Sequence, residues 1–249
     1  MYPQFPQLEI SEPFERFLNL VKENKLKSII LYLVFLFYFS IPSFSIPVLE
    51  FNSFRVTSLM EQRALEYNLN FYPRQSWTNI DDVTPYLLKA VISMEDGSFF
   101  MHKGVDWKEL ENSIRKNRRM RRNARGGSTI TMQLAKNLFL TTEKSFLRKG
   151  KEFIISMRLE KELSKKAILE NYINAVEWGD GIFGIEEAAD EYFKKEPGKL
   201  TKGECSRLAA VIPSPLKYKP NINSAYVLRR SSIIRGRMND VVLFPGKKL

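Results

Sequence analysis

The first legible feature of the chain is an apolar run. From residue 28 to residue 49 no charged side chain occurs, and Ile, Leu, Val, Phe and Tyr dominate. As one helix the run would cover roughly 30 Å, the thickness of a bilayer core. It also lacks the polar face of a helix packed in a globular core. Residues 28–49 are therefore expected to form a transmembrane anchor, with Pro42 and Pro47 near its far end, where a break costs least. The A-x-A-like site of a cleaved signal peptide is missing.

Beyond the run the apolar period becomes helical. Thr84-Pro85 supplies a cap and an N1 proline before Leu87, Leu88, Val91 and Ile92. Asp106-x-x-Glu109 resembles a capping box. Ser128 is expected to cap a helix with the stripe Ile130, Leu134, Leu138 on one side and Thr129, Gln133, Lys136, Asn137 on the other. Further helices are expected over 145–162, 164–172 and 184–193. Another follows the Thr201-x-x-Glu204 box and ends at Pro213 and Pro215, and a basic one opens at Ser224. Only residues 68–77 look extended. The expected division is a cytoplasmic segment 1–27, the anchor 28–49, a membrane-proximal connector 50–76, one mainly α domain 77–240 and a tail 241–249.

Charge sharpens this picture. The net charge is +11, from 39 Lys plus Arg against 28 Asp plus Glu. The four basic residues among the first 49 (Arg16, Lys22, Lys25, Lys27) are balanced by Glu9, Glu12, Glu15 and Glu23, so the excess lies wholly downstream. Such an excess suits a polyanionic partner. Lys22, Lys25 and Lys27 flank the anchor on its N-terminal side, which places the N-terminus in the cytoplasm and the larger part outside. One Cys, Cys205, and one His, His102, exclude an internal disulfide, Cys-rich zinc sites and HExxH metalloenzymes. Cys205 is expected to be a small buried helix residue.

Four clusters carry candidate chemistry. Glu95-Asp96 follows an apolar helix and precedes a Gly-containing turn. A carboxylate at a helix C-terminus meets the unfavourable end of the dipole, which raises its pKa and suits a general base; two solvated turn acids would look the same. Residues 115–125 are a basic run, readable as a surface for anionic headgroups or as a solvated loop. An external location disfavours nucleic acid for it. Gly126-Gly127-Ser128-Thr129 opens a helix and permits close approach of an anion. Arg148-Lys149-x-x-Glu152 is either an ordinary surface ion pair or a carboxylate held among cations beside a phosphate.

The order of these clusters resembles the monofunctional peptidoglycan glycosyltransferases, which share a catalytic domain with class A penicillin-binding proteins. The resemblance runs over about residues 77–238. Glu95-Asp96-x-x-Phe99-x-x-His102-x-Gly104-x-Asp106 looks like the first family motif. The second is matched by Gly126-Gly127-Ser128-Thr129-Ile130-Thr131-Met132-Gln133-Leu134-Ala135-Lys136-Asn137, and the third by Arg148-Lys149-x-x-Glu152. Leu163-Ser164-Lys165 with Ile168-Leu169-Glu170-x-Tyr172-x-Asn174, and Leu208-Ala209-Ala210-Val211-Ile212-Pro213-Ser214-Pro215, are similar to the remaining two. Met132 departs from the second Gln common at its position, and Ile173 from a common Leu.

The resemblance implies a lysozyme-like, mainly α domain with a small membrane-proximal lobe. It implies that the lipid-linked growing glycan is transferred to the 4-hydroxyl of lipid II with inversion and release of undecaprenyl diphosphate. Glu95 is then the general base. Glu152, Arg148 and Lys149 belong at the donor's diphosphate, directly or through a divalent cation such as Mg or Mn. Lys136, Gln133, Asn137, Ser128, Thr129 and Asp96 are expected to contact substrate, while Phe99, His102, Gly104, Gly126 and Gly127 shape the motifs. Expected partners are lipid II, nascent glycan, membrane lipids and other cell-wall synthases. The rivals are a lysozyme-like hydrolase and a non-enzymatic lipid-binding protein. Ser113-x-x-Lys116 and Ser214-x-x-Lys217 match SxxK by chance, since KTG is missing.

Overall fold

The computed structural model describes residues 15, 19, 22–42, 45–51, 56–67, 75–120 and 127–245. Gly126, residues 121–125 of the basic run and residues 68–74 of the expected extended stretch lie outside the described residues. The chain divides into two compact units, 1–43 and 44–249.

In the first unit, α1 runs Lys25–Phe39 and buries none of its side chains. The expected single helix over 28–49 is not formed. Ser40 closes α1, with its amide bonded to Leu36 and Phe37 carbonyls, and Pro42 disfavours helical backbone at the residue before it. A helix of this length covers only about 22 Å. Among the described residues, no helix is long and apolar enough to cross a membrane.

In the second unit, Pro47–Glu50 is a 3₁₀ turn in which Leu49 is buried. Asn171 Nδ2 donates to the Leu49 carbonyl at 3.0 Å and the Ser164 amide to Glu50 at 2.8 Å, so the end of the apolar run belongs to the packed unit. α2 (Ser58–Glu66) is capped by Thr57. Leu59 and Met60 pack on Phe183, and Arg63 pairs with the buried Glu177 at 2.9 Å. Glu177 and Phe183 belong to an antiparallel hairpin, β1 (Glu177–Gly179) and β2 (Ile182–Phe183), which the sequence pattern did not announce. Two strands of three and two residues offer too few positions for an alternating pattern to be read.

The remaining helices follow the sequence closely. They are α3 (Pro85–Glu95), α4 (Trp107–Met120), α5 (Ile130–Phe139), α6 (Phe146–Glu162), α7 (Lys165–Ala175), α8 (Ile185–Phe193), α9 (Lys202–Val211) and α10 (Ala225–Arg237). Ser145, Ser164 and Ser224 cap α6, α7 and α10, and Thr201 with Glu204 forms the expected capping box. One expectation shifts by a residue. Thr129, not Ser128, caps α5, accepting from the Met132 amide at 3.1 Å. Cys205 is buried, and burial pushes its thiol up to about 12.

Two packed groups of helices meet at the middle. α3, α9 and α10 pack together on one side, and α5 packs against α6 and α7 on the other. α7 is central, with every residue from Asn171 to Ala175 buried. Asn174 fastens it to the entering chain, accepting from the Thr78 amide at 3.0 Å and donating to the Thr78 carbonyl at 2.9 Å. The turn between α3 and α4 needs Gly104. Its φ is +87°, and a Cβ there would lie 2.9 Å from the Ser156 carbonyl oxygen.

Gly104→Ala is therefore expected to cost about 1–3 kcal/mol and to lower Tm by several degrees. Gly236→Ala, in α10 with open space around it, is expected to be neutral or mildly stabilising. Thermal denaturation of the two variants checks both.

Candidate active site

Glu95 stands where α3 stops. Its helix buries Leu87, Leu88, Ala90, Val91 and Ile92, which orients the last turn toward α5. Asp96, at φ −160°, ends the helix. Glu95 is half-buried, and its Oε2 accepts from Gln133 Nε2 at 2.7 Å. Its Oε1 is buried and has no hydrogen-bond partner among the described residues. Burial is the main force raising the pKa of this carboxyl, with the charge of Asp96 adding to it. The Gln133 hydrogen bond, Arg230 and Lys136 oppose the rise. The direction agrees with the sequence expectation.

Asp96 plays a different part. Its oxygens meet His102 Nε2 at 2.9 and 3.0 Å, and Oδ2 also accepts from the Ile130 amide at 3.0 Å. It ties the turn after α3 to the first residue of α5. Phe99 is fully buried in that turn, with the Lys165 amine 4.3 Å from its ring centroid. The Thr129 hydroxyl is committed as well: besides capping α5 it donates to the Gly104 carbonyl at 2.6 Å. Gly127 lies where a Cβ would come within 2.9 Å of Leu110 Cα, so α4 and the start of α5 approach closely there.

Gln133 is held from both ends. Its Oε1 accepts from the Tyr172 hydroxyl at 3.0 Å while its amide nitrogen donates to Glu95. Lys136, one turn further along α5, is partly buried. Burial lowers its pKa; Glu152 and Glu95 counter this, while Arg148 and Lys149 reinforce it. Its ammonium has no hydrogen bond or ion pair among the described residues.

The third motif sits just behind. Glu152 is 2% exposed, and its two oxygens are taken by Arg148 at 2.6 Å and Lys149 at 2.5 Å. Lys149 also donates to Ser128 Oγ at 3.0 Å, which links this cluster to the start of α5.

These groups surround a cleft of about 1040 Å³. Of the expected site residues, Glu95, Asp96, Gly127, Ser128, Thr129, Gln133 and Lys136 line it. Glu152, Arg148, Lys149 and Asn137 do not. Asn137 is buried, with its Oδ1 unpartnered among the described residues. The cleft is also lined by Ile212 and Pro213 of the last motif and by residues no motif marked: Arg230 and Arg237 of α10, Asp240 and Val241. Arg230 reaches Met94 Sδ at 3.3 Å and lies over the Tyr226 ring at 5.3 Å. Several arginines share α10, and no spacing within it tells which one faces α3.

Among the described residues no three His, Cys, Asp or Glu side chains come together to hold an ion, and both oxygens of Glu152 are already occupied by cations. What the cleft offers is a carboxyl whose pKa is raised by burial, an ammonium unengaged among the described residues and a guanidinium that acts on that carboxyl. That arrangement can deprotonate a hydroxyl and stabilise a departing anion.

The family model described as transglycosylase matches residues 62–239. A biosynthetic peptidoglycan transglycosylase of Laribacter hongkongensis (strain HLHK9) is 37% identical over 197 residues, covering 78% of this chain and 86% of the relative. One of the same name from Thiobacillus denitrificans is 40% identical over 77% of this chain and 82% of the relative. Another from Mannheimia succiniciproducens is 42% identical over 76% and 75%. The motifs that shape the cleft all fall within the matched residues, and the chain belongs to the transglycosylase family.

Proposed function

We propose that this chain polymerises peptidoglycan glycan strands, as a peptidoglycan glycosyltransferase working in the cleft between α3, α5 and α10. The observation that carries the reading is Glu95: one oxygen held by Gln133, the other unpartnered among the described residues, and its proton affinity raised by burial, with Lys136 and Arg230 nearby.

The substrate is lipid II. The 4-hydroxyl of the incoming lipid II attacks the anomeric carbon of the lipid-linked growing strand. Its proton passes to Glu95, the new C–O bond forms, and the bond to the lipid diphosphate breaks with inversion. A hydroxyl is a weak nucleophile near neutral pH, so a base with raised proton affinity suits the first half. The leaving diphosphate needs no proton, only fixed positive charge in a site poor in water. Lys136 supplies that charge directly. Arg148 and Lys149 act through Glu152 and Ser128 as a cationic backing. A hydrolase acting on finished glycan would have no diphosphate for these cations to meet.

The reaction takes place at the outer face of the cytoplasmic membrane. The exposed apolar surface of α1 supports its role as the membrane anchor, together with flanking chain. Phe146 and Leu147, exposed at the start of α6, support contact of a small lobe with lipid. The cations of 115–120 suit anionic headgroups.

Glu95→Gln is expected to reduce polymerisation of labelled lipid II by at least about 100-fold while leaving the fold intact. Because the folded-state pKa of Glu95 is raised, its ionisation destabilises the fold progressively as pH climbs past the ordinary carboxylate value of about 4.3. Glu95→Gln should therefore match or exceed the wild-type Tm at neutral pH, with the margin vanishing below about pH 4. Retained glycan synthesis by this variant would overturn the mechanism. Lys136→Ala should depress turnover far more than Tm; gel analysis of products beside a melting curve reads both.

A further inference from the structure

Tyr172 is a fully buried side chain with a polar end that the mechanism above leaves unused. Its hydroxyl lies 3.0 Å from Gln133 Oε1, and Gln133 Nε2 lies 2.7 Å from Glu95 Oε2. Three residues from α7, α5 and α3 thus form one continuous chain of donors and acceptors ending at the base. We infer that Tyr172 is a positioning residue for the reaction: by donating to Gln133 it sets the amide so that its N–H holds Glu95 Oε2 and leaves Oε1 to take the acceptor's proton. The inference rests on Glu95 being the base.

Polarity fixes the orientation of the Gln133 amide. A carboxylate only accepts, so ionised Glu95 selects the N–H end of the Gln133 amide. The carbonyl end must then face α7, where a buried carbonyl without a donor is costly. Tyr172 supplies that donor and cannot lose it. Burial, with the charges of Glu95 and Asp96, pushes its pKa well above the ordinary phenol value, so it remains an O–H throughout the working range. A phenylalanine would fill the same space and leave the amide free to turn. Glu95 would then lose a well-aligned bond to its charged form and hold its proton more tightly.

The other charged or titratable groups interacting with Glu95 are Asp96 at the end of α3, Lys136 of α5, and Arg230 and Tyr226 of α10, while Asp106, Glu109, Arg237 and Asp240 also line the cleft. None of them touches the Tyr172 hydroxyl, so removing that oxygen isolates the chain through Gln133.

The test is the pH dependence of kcat/KM for lipid II polymerisation by the full chain in detergent. In Tyr172→Phe the acid limb should move up by about half a pH unit or more, while the high-pH plateau stays within about two- to three-fold of wild type. Gln133→Met should move the limb the same way, and the double variant no further than Gln133→Met alone. Replacing Tyr172 by 3-fluorotyrosine, a stronger donor of nearly the same shape, should move it down. Limb position does not depend on the fraction of enzyme that is active, so a merely structural loss lowers the whole profile without shifting it. An unmoved limb in Tyr172→Phe or 3-fluorotyrosine enzyme, or additive shifts in the double variant, overturns the inference. Polymerisation by Glu95→Gln would instead overturn the assignment of the base, whatever Tyr172 does.

Discussion

A buried carboxylate is stable only if its charge is answered from several directions, and Asp96 is answered from two elements at once. His102 comes from the turn that follows α3, and the Ile130 amide from the first turn of α5. Leaving such a group unpartnered would cost several kcal/mol. The two helices therefore meet end to start at this point, and the residue just before Asp96 is brought beside the second turn of α5. Glu95 meets Gln133 because Asp96 meets Ile130. Gly104, Thr129 and Phe99 complete the same joint, each through a contact that tolerates little change of shape.

The consequence for chemistry is a separation of carboxylates by environment. Glu95 has one neutral hydrogen-bond donor and an unpartnered oxygen, so withdrawal from water dominates and its proton is held tightly. Glu152, which is buried, has a guanidinium on one oxygen and an ammonium on the other. The first can exchange a proton; the second fixes two cations in place. Lys136 interacts with both, has no partner of its own among the described residues and lines the cleft, where an anionic group of a substrate can provide one.

Much of this was legible along the chain. Helix starts were marked by Ser145, Ser164, Thr201 and Ser224 because a cap is a local hydrogen bond within one turn. Ile130, Leu134 and Leu138 announced the buried face of α5 by spacing alone. The capping shift from Ser128 to Thr129 escaped because either residue can cap, and only the fold shows Ser128 accepting from Lys149 of another helix instead. The helix expected over 28–49 ended early because the sequence does not say where tertiary contacts begin. Leu49 is apolar, but it is buried within the packed unit, its carbonyl bound by Asn171.

The sequence by itself determined the helical architecture, the ordered motifs and the carboxylate that ends α3, since each depends on residues within a few turns of one another. Only the tertiary structure decided which of those residues face the cleft. It turned Glu152 and Asn137 away, brought Arg230 in from α10, and placed Tyr172 behind Gln133. These are contacts between residues tens of positions apart, and their burial exists only after the helices have packed. The raised proton affinity of Glu95 belongs to the same class, because burial is its main cause.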